Sequence, residues 1–414
     1  MKILLLSIGT RGDVQPMVAL ALGLQNAGHE VELLAGQNFQ EFVESWGVPF
    51  LPSLDMNALM QTPEGIAWAQ SGDRPFRQLG LMKELLTNNA APMLRDLESA
   101  ITDQDLLITG LMLDPFVEAL SEISGIPRIH ALLQPTRPTR LGPASMIAPF
   151  GKSTSVANLW AGRFADRLFW SMTKEITNEF RASHGLTAHS TSSWTKARDK
   201  APVLLGVSPT LVPLANDWQA PAAITGFWDL PPKPWNPTEE LEDFLQAGEP
   251  PLFIGFGSMT HAHGQESWRE ISEGLTKTGL RAIISTDEDL HLSENIYLLS
   301  YCPHDWLFPR CSAVIHHGGA GTTAAALRAC RPSWIIPHMS DQPYWGRRVA
   351  ELGAGLPPVP LHKLTPRGFS KGIRLLLDPD RYETLSTGAR RVGEAIQKEK
   401  GVENGVVAIQ KYFR

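Results

Sequence analysis

The sequence predicts an α/β protein built from two doubly wound, Rossmann-like domains. Short, continuously apolar strands alternate with helices in the first half of the chain and again in the second half, as in parallel sheets that are buried on both faces. A proline-rich stretch separates the two series. The length of 414 residues exceeds what one hydrophobic core usually supports, which also favours two domains.

The elements of the first domain follow one another from the N terminus. Residues 2–8 predict a buried strand rather than a signal peptide, because the apolar run is only Ile3–Leu6 and no small-residue cleavage site follows it before a charged turn. The alternation that comes next predicts βαβ units with right-handed crossovers. The further predicted elements are helices over 16–27 and 115–124 and strands over 31–34, 105–109 and 127–133.

A second series begins after a proline-rich segment. Prolines accumulate between Leu211 and Pro237, which excludes a helix or a central strand there. We therefore predict an N-terminal domain over 1–215, a linker over 216–237 and a C-terminal domain over 238–398. The predicted elements beyond the linker are strands over 252–256, 281–285, 296–299, 313–315 and 333–336 and helices over 266–278 and 320–329.

Composition excludes several classes of protein. The net charge of −6 leaves no basic excess for a nucleic-acid partner. No run of about eighteen apolar residues is present, so we expect no membrane-spanning segment. The three cysteines have no metal-ligand spacing, which predicts reduced thiols in a cytoplasmic protein.

The most informative segment is a glycine-rich turn between the strand over 313–315 and the helix over 320–329. Unpaired N–H groups at a helix start bind phosphate oxygens, and glycines let the backbone approach closely. A diphosphate site is therefore predicted at His316, Gly318, Gly319, Ala320, Gly321 and Thr322.

Other nucleotide-binding motifs fit this turn poorly. GxxxxGK[ST] is absent, no lysine follows the glycines, and the GxGxxG fingerprint of dinucleotide enzymes is missing. The alternative is an ordinary strand–turn–helix connection with glycines for packing. The pair His316-His317, the pair Thr322-Thr323 and the downstream Asp341-Gln342 favour the phosphate site.

Four motifs together resemble a known family. HHGGAGTT followed by DQPYWGRRVAELG, with the opening SIGTRGDVQP and the segments GFWDLPPKPW and GFGSM, is similar to inverting Leloir glycosyltransferases of the GT-B fold. The branch is that of sterol glucosyltransferases and antibiotic or macrolide glycosyltransferases within the UDP-glycosyltransferase family. The resemblance implies two domains facing across a cleft and a final helix, within 399–414, that crosses back to the N-terminal domain.

The resemblance also implies a donor site in the second domain. His316 and the amides after it would hold the diphosphate, and Ser258 would add a donor or form a simple turn. The loop that begins at Tyr301 would meet the nucleotide base, with the Cys302 backbone on its edge and Tyr301 or Trp306 on its face. The pair Asp341 and Gln342 would bind the hexose hydroxyls, unless the aspartate only forms the turn before Pro343.

Asp13 is the predicted general base. It leaves the first strand at the end where open α/β sheets bind ligands, and glycosyl transfer with inversion needs one group to accept the acceptor's hydroxyl proton. From local sequence alone, a helix-capping or turn aspartate is the favoured interpretation. The resemblance reverses that preference, because the family's proposed catalytic aspartate matches this position.

The acceptor site is predicted in the N-terminal domain, along the irregular, proline-rich residues 132–149. Its candidate residues are Asp114, His130, Gln134 and Arg137. Asp114 alternatively caps the helix over 115–124, while His130 and Gln134 alternatively serve as ordinary polar groups. Arg137, with Arg140, anchors a polar group of the acceptor or remains solvated.

These residues and the resemblance predict the transfer of a hexose, glucose in the first place, from a UDP- or dTDP-sugar to a lipophilic acceptor such as a sterol, terpenoid, macrolide or polyketide. No metal or other cofactor is expected, because helix amides and histidine take the place of a cation. The alternatives are a nucleotide-sugar epimerase and a non-catalytic accessory protein. A monomer or homodimer is expected, with transient membrane contact through tryptophan and arginine side chains near the acceptor mouth, Arg137 and Arg140 among them, if the acceptor is a sterol.

Overall fold

The chain divides into two compact units. Met1–Pro231 and Glu399–Arg414 form unit 1, and Pro232–Lys398 forms unit 2. The computed structural model describes residues 1–70, 75–256, 271, 273–286 and 293–413. The predicted donor residue Ser258 lies outside these residues, as does most of the helix predicted over 266–278, although 273–276 are helical.

Unit 1 contains a seven-stranded parallel sheet within its described residues, in the order β3-β2-β1-β4-β5-β6-β7. Strand β1 lies between β2 and β4, so its carboxyl end opens next to theirs. The strands are β1 (Lys2–Leu6), β2 (Glu30–Gly36), β3 (Phe50–Ser53), β4 (Leu106–Thr109), β5 (Arg128–Leu132), β6 (Val203–Leu205) and β7 (Ala222–Ile224).

Helices cover both faces of this sheet. Alternate β1 side chains enter two separate hydrophobic clusters, with Ile3 and Leu5 in one and Leu4 and Leu6 in the other. This placement explains why β1 is continuously apolar. The helices are α1 (Arg11–Asn26), α2 (Gln40–Glu44), α3 (Met56–Met60), α4 (Pro63–Gln70), α5 (Pro75–Ala100), α6 (Asp114–Ser124), α7 (Val156–Ser183) and α8 (Thr191–Lys200).

The segment predicted as a linker over 216–237 contributes structure to unit 1. Residues 222–224 form β7, which pairs with β6 at the edge of the sheet. An edge strand needs hydrogen bonds on one side only, so flanking prolines are compatible with it. Trp228 is buried behind the sheet, where its Nε1 donates to Thr225 Oγ1 at 2.9 Å. The prolines therefore exclude a central strand, as expected, without excluding an edge strand.

Unit 2 contains a six-stranded parallel sheet in its described part, in the order β10-β9-β8-β11-β12-β13. The strands are β8 (Leu252–Gly255), β9 (Ala282–Ser285), β10 (Ile296–Leu299), β11 (Val314–His316), β12 (Ser333–Ile335) and β13 (Gly355–Leu356). The helices are α9 (Glu239–Gln246), α10 (His304–Leu307), α11 (Ala320–Arg328), α12 (Gln342–Glu351), α13 (Pro366–Leu376) and α14 (Pro379–Gln397).

The last helix, α15 (Gly401–Tyr412), belongs to unit 1 and packs on α1. Two glycines allow this close approach: a Cβ at Gly23 would collide with Val402, and a Cβ at Gly405 would lie 3.2 Å from Leu20. Val406 and Ile409 join the same hydrophobic cluster as β1. Among the residues that the structure describes, no helix combines the length and the apolar character needed to cross a bilayer.

Candidate active site

The glycine-rich turn lies at the carboxyl end of β11, between the neighbouring strands β8 and β12. Gly318 has φ +95°, a region that favours glycine, and a Cβ there would lie 2.6 Å from Ile335 Cγ2. Gly319 then precedes α11 without a side chain that caps the helix. The turn is therefore closed tightly against β12.

The first N–H groups of α11 are available to a ligand. Thr323 turns back, and both its backbone N–H and its hydroxyl donate to the Gly319 carbonyl at 2.9 Å. The N–H groups of Ala320, Gly321 and Thr322 have no hydrogen-bond partner among the described residues. Unpaired N–H groups and the positive end of the helix dipole together favour an anion at this point.

His316 is held as a neutral hydrogen-bond donor. Its Nδ1 accepts from the Gly318 N–H at 3.1 Å, so Nε2 carries the hydrogen, and this buried atom has no partner in the described structure. Burial, followed by the neighbouring His317 and His304, holds the pKa of His316 well below its usual value. Burial also lowers the pKa of His317 to about 4, while a hydrogen bond with the Gly255 backbone opposes the shift.

Asp341 and Gln342 stand at the start of α12, beyond β12. Trp345, one turn later, donates its Nε1 hydrogen to Asp341 Oδ2 at 2.6 Å. Gln342 Oε1 accepts from the N–H groups of His338 at 2.7 Å and Met339 at 3.1 Å. Part of each side chain thus fixes the loop between β12 and α12, and the Gln342 amide hydrogens are the donors left for a ligand.

The loop predicted to meet the nucleotide base starts after β10. The Tyr301 side chain is 62% exposed and can cover a base. Cys302 is buried, which raises the pKa of its thiol to about 12, so its backbone is the part suited to a contact. Trp306 packs instead against Trp235, with ring centroids 4.9 Å apart, and Arg310 lies over its ring. Trp306 therefore has a structural role here.

Asp13 in unit 1 occupies the first turn of α1. This helix begins at Arg11 rather than at Pro16, because Thr10 and Asp13 form a reciprocal capping box. Asp13 Oδ2 accepts from the Thr10 N–H at 2.8 Å and from the Thr10 hydroxyl at 3.1 Å. Oδ1 has no partner among the described residues. The capping arrangement fixes one carboxylate oxygen and leaves the other available.

Two opposing effects act on the Asp13 carboxyl. Burial raises its pKa, and the two hydrogen bonds from Thr10 lower it. Gly9, with φ +146°, passes so close that a Cβ there would collide with Asp13 Oδ2. Thr10 was not predicted as a site residue from the sequence, although the spacing of Thr10 and Asp13 is that of a capping box.

We expect Thr10→Val to move the pH dependence of turnover. A base works ionised, so activity falls as the pH falls through its pKa. Loss of the hydroxyl bond raises that pKa and shifts the acidic limb of the kcat profile to higher pH, while Thr10→Ser keeps the wild-type profile. A valine variant that is merely less stable, with an unshifted limb, would contradict this role. The measurement is kcat against pH for the three proteins.

The comparisons with known proteins agree along the whole chain. Residues 3–87 match the profile of the glycosyltransferase family 28 N-terminal domain, and residues 283–399 match that of the erythromycin biosynthesis protein CIII-like C-terminal domain. The chain is 32% identical to O-mycaminosyltylonolide 6-deoxyallosyltransferase of Streptomyces fradiae over 418 residues, covering all of this chain and 97% of the relative. This protein is a GT-B glycosyltransferase. It belongs to the branch that contains sterol glucosyltransferases and macrolide glycosyltransferases.

Other relatives of this glycosyltransferase are longer or more distant. It is 32% identical to Sterol 3-beta-glucosyltransferase UGT80B1 of Arabidopsis thaliana, covering all of this chain and 68% of that one, and it spans 34% of the Sterol 3-beta-glucosyltransferase of Komagataella phaffii. The solved structure of Spinosyn Forosaminyltransferase SpnP has a TM-score of 0.72 at 17% identity, covering 100% of this chain and 99% of that one. The likeness to that structure confirms the predicted GT-B fold class.

The candidates on the acceptor side of the glycosyltransferase are buried in an ion-pair network. Asp114 is the first residue of α6, but Leu113 stands at the N-cap and no side chain caps this helix, so the alternative capping role of Asp114 is wrong; its Oδ1 pairs with Arg128 instead. His130 is buried, and burial lowers its pKa to about 3 despite Asp114 Oδ1 at 3.9 Å from its Nδ1. Arg137 Nη1 pairs with Asp199 Oδ1 at 2.9 Å and the side chain is buried, so this guanidinium does not stay solvated.

The loop over 132–149 is more tightly held in the glycosyltransferase than its irregular sequence suggests. Gln134 is half-buried and follows β5, and Arg140 is exposed. Asp217 accepts from the Thr139 hydroxyl at 2.5 Å and from the Arg140 N–H at 2.8 Å. The network leaves Asp114 Oδ2 and both His130 nitrogens buried without a partner in the described chain. The Nε of Arg137 is likewise buried without a partner in the described chain, so it joins these atoms as a polar group left for an acceptor or for water.

One group of side chains in the described part of the glycosyltransferase has spacing suited to a metal ion: Glu118, Glu122 and His189. Arg181 already pairs with Glu118 at 3.2 Å and with Glu122 at 2.8 Å. This arginine supplies the positive charge that a cation would bring, and the group joins α6 to α7 and the start of α8.

Proposed function

We propose that this glycosyltransferase moves a hexose, glucose in the first place, from a UDP- or dTDP-sugar to a hydroxyl of a lipophilic acceptor, with inversion. The unpaired N–H groups at the start of α11, next to the donor Nε2 of His316, carry the proposal. The named relatives support the acceptor class, because they include a sterol glucosyltransferase and a transferase acting on a macrolide.

In the proposed reaction, Asp13 accepts the proton of the acceptor hydroxyl. The acceptor oxygen forms a bond to the anomeric carbon while the bond from that carbon to the β-phosphate oxygen breaks. The proton goes to Asp13, and the bonding electrons leave with the nucleoside diphosphate. Attack opposite the leaving group inverts the anomeric centre. Oδ1 is the oxygen suited to this role, since Oδ2 is occupied by Thr10.

The leaving diphosphate gains negative charge as the glycosidic bond breaks. Donors that already point at the site lower the barrier without reorganising. In our proposal these are the N–H groups of Ala320, Gly321 and Thr322 with Nε2–H of His316. Tyr301 covers the base, and the Asp341 carboxylate with the Gln342 amide binds the hexose hydroxyls. Two solved neighbours carry thymidine diphosphate, which supports testing dTDP beside UDP.

The test is calorimetric titration of UDP and dTDP into the purified protein, followed by product analysis with a panel of lipophilic alcohols. Micromolar binding of either nucleotide and appearance of a β-configured glycoside from an α-configured donor would support the proposal. Binding with epimerised donor and no glycoside would favour a nucleotide-sugar epimerase. A folded protein that binds neither nucleotide would favour an accessory role.

Transfer is expected to continue without divalent metal. The neutralising role of a cation falls to helix amides and a histidine in this proposal, so treatment with EDTA followed by assay in metal-free buffer should leave kcat within about twofold of the untreated value. Restoration of lost activity by added Mg²⁺ or Mn²⁺ would contradict the expected absence of a metal. Parallel assay of a known metal-dependent transferase provides the control for complete chelation.

A further inference from the structure

The outer face of α7 carries an apolar stripe. Val156, Trp160 and Phe164 are 51%, 62% and 58% exposed. Their spacing of four residues places them on one side of the helix, over about 12 Å of its length. A row of large apolar side chains in water is unusual on a surface and marks a contact region.

Positive charges outnumber negative ones beside this stripe, where the exposed Glu175 pairs with Lys83 at 2.8 Å. Arg167 and Lys174 continue the same helix face beyond Phe164, both of them exposed, and Lys152 is exposed just before the helix. None of the three has an ion-pair partner within the described residues, whereas Asp166 on the same helix is taken up by Arg198. Because the whole chain has a net charge of −6, this positive surface is a local feature.

Hydrogen bonds and packing on the buried side of α7 fix the orientation of the stripe. Asn158, on the opposite side of the first turns of α7, is buried and donates its Nδ2 hydrogens to carbonyls of Arg140, Phe150 and Ser153 at 2.9–3.1 Å. Further along, Trp170 is buried and stacks on Trp194 of α8, with ring centroids 4.9 Å apart. The buried side of the helix is thus held by these contacts, and the stripe cannot turn inward without breaking them.

We propose that the stripe of Val156, Trp160 and Phe164 docks on the surface of an anionic lipid bilayer. Apolar side chains with tryptophan on one face, bordered by arginine and lysine, suit the interface between headgroups and acyl chains. A small ligand needs a concave site, and this helix face is convex. A symmetric pairing of two copies would bring like charges from Arg167 and Lys174 together, which disfavours a dimer here.

The membrane contact predicted from the sequence used tryptophan and arginine side chains near the acceptor mouth, with Arg137 and Arg140 as the arginines, whereas the proposed contact lies on α7. Arg137 is buried against Asp199 and offers nothing to a bilayer. The proposal does not depend on the donor site or on Asp13, so vesicle binding can succeed or fail separately from glycosyl transfer.

The test is sedimentation of the protein with vesicles of phosphatidylcholine alone and with vesicles that also contain about 30% phosphatidylglycerol, whose negative surface potential attracts basic side chains. We expect binding to the anionic vesicles, weakened by salt, and at least a tenfold lower partition coefficient for the double variant Trp160→Ser, Phe164→Ser. The matched control is the double variant Leu214→Ser, Val407→Ser. It removes two apolar side chains that are 51% and 63% exposed elsewhere, and it should bind as wild type does.

Several outcomes would overturn the proposal. One is that the wild-type protein binds to neither kind of vesicle. Another is that the double variant at Trp160 and Phe164 binds as well as the wild type does. A concentration-dependent dimer of wild type that this variant dissociates would assign the stripe to a second copy. Thermal melting and light scattering of all three proteins separate these outcomes from misfolding or aggregation.

Discussion

Asp13→Asn is expected to lower kcat by about 10²–10⁴-fold, the usual contribution of a positioned general base. Asparagine cannot accept the hydroxyl proton, but its side-chain oxygen can still accept from the Thr10 N–H, so α1 keeps its cap. The affinity for UDP or dTDP should stay within about twofold, because the expected nucleotide contacts lie in unit 2. The measurements are single-turnover transfer and calorimetric nucleotide binding.

Asp55→Asn is the matched control for this variant. Asp55 also caps a helix of unit 1, where its Oδ1 accepts from the N–H groups of Asn57 and Ala58 at 2.9 and 3.0 Å. The control makes the same chemical change at another helix start, so it should leave turnover as it is. Turnover by Asp13→Asn comparable with wild type would remove Asp13 as the base and return it to a capping role only.

Gly318→Ala is expected to reduce nucleotide affinity by at least tenfold. The added Cβ would meet Ile335 Cγ2 at 2.6 Å and the Gln342 carbonyl oxygen at 3.1 Å, and alanine at φ +95° adds backbone strain of about 1–3 kcal/mol. Relief of these contacts requires the turn to move, which displaces the N–H groups of Ala320 to Thr322 from the phosphate. Titration of UDP and dTDP measures the loss.

Gly321→Ala separates ligand contact from distortion of the protein. A Cβ at Gly321 meets no heavy atom within 4 Å, so the variant should melt as wild type does. Weaker nucleotide binding with unchanged melting would then report that the diphosphate approaches this backbone. Unchanged binding by both glycine variants would rule out the turn as the diphosphate site. Gly80→Ala, at an open helical position in unit 1, controls for the substitution itself.

Much of the fold can be predicted from the sequence where an element has one clear pattern of apolar residues. The strand over 296–299 has the predicted bounds, and β1, β2, β4, β8 and β11 lie within two residues of theirs, because strands buried on both faces are continuously apolar. The short edge strands β7 and β13 have too few residues to show a recognisable pattern of apolar side chains. Helix α5 contains Pro92, which normally indicates a break, and α7 exposes apolar residues on its outer face, which obscures the period.

The candidate site also has parts that could be predicted from the sequence and parts that could not. The turn at Gly318 was recognisable because a positive φ and a close approach demand glycine, and those demands leave a sequence pattern. The burial of Arg137 was not, since its partner Asp199 is 62 residues away in the sequence and only the packing of α8 against α6 and α7 brings it near. Trp345, by contrast, lies only four residues beyond Asp341, so its indole contact is local and could have been predicted from helical spacing. Long-range polar partners depend on topology, which local patterns do not encode.

The return of the chain to unit 1 at Glu399 has a consequence for biosynthesis. Unit 1 needs α15 to complete the cluster around α1, yet the ribosome makes all of unit 2 before Gly401 appears. During that interval the surface of α1 around Gly23 that Val402 will cover is open to solvent and to chaperones. Nascent N-terminal chains are therefore expected to remain protease-sensitive until α15 emerges, so that unit 2 can mature first although it is synthesised second.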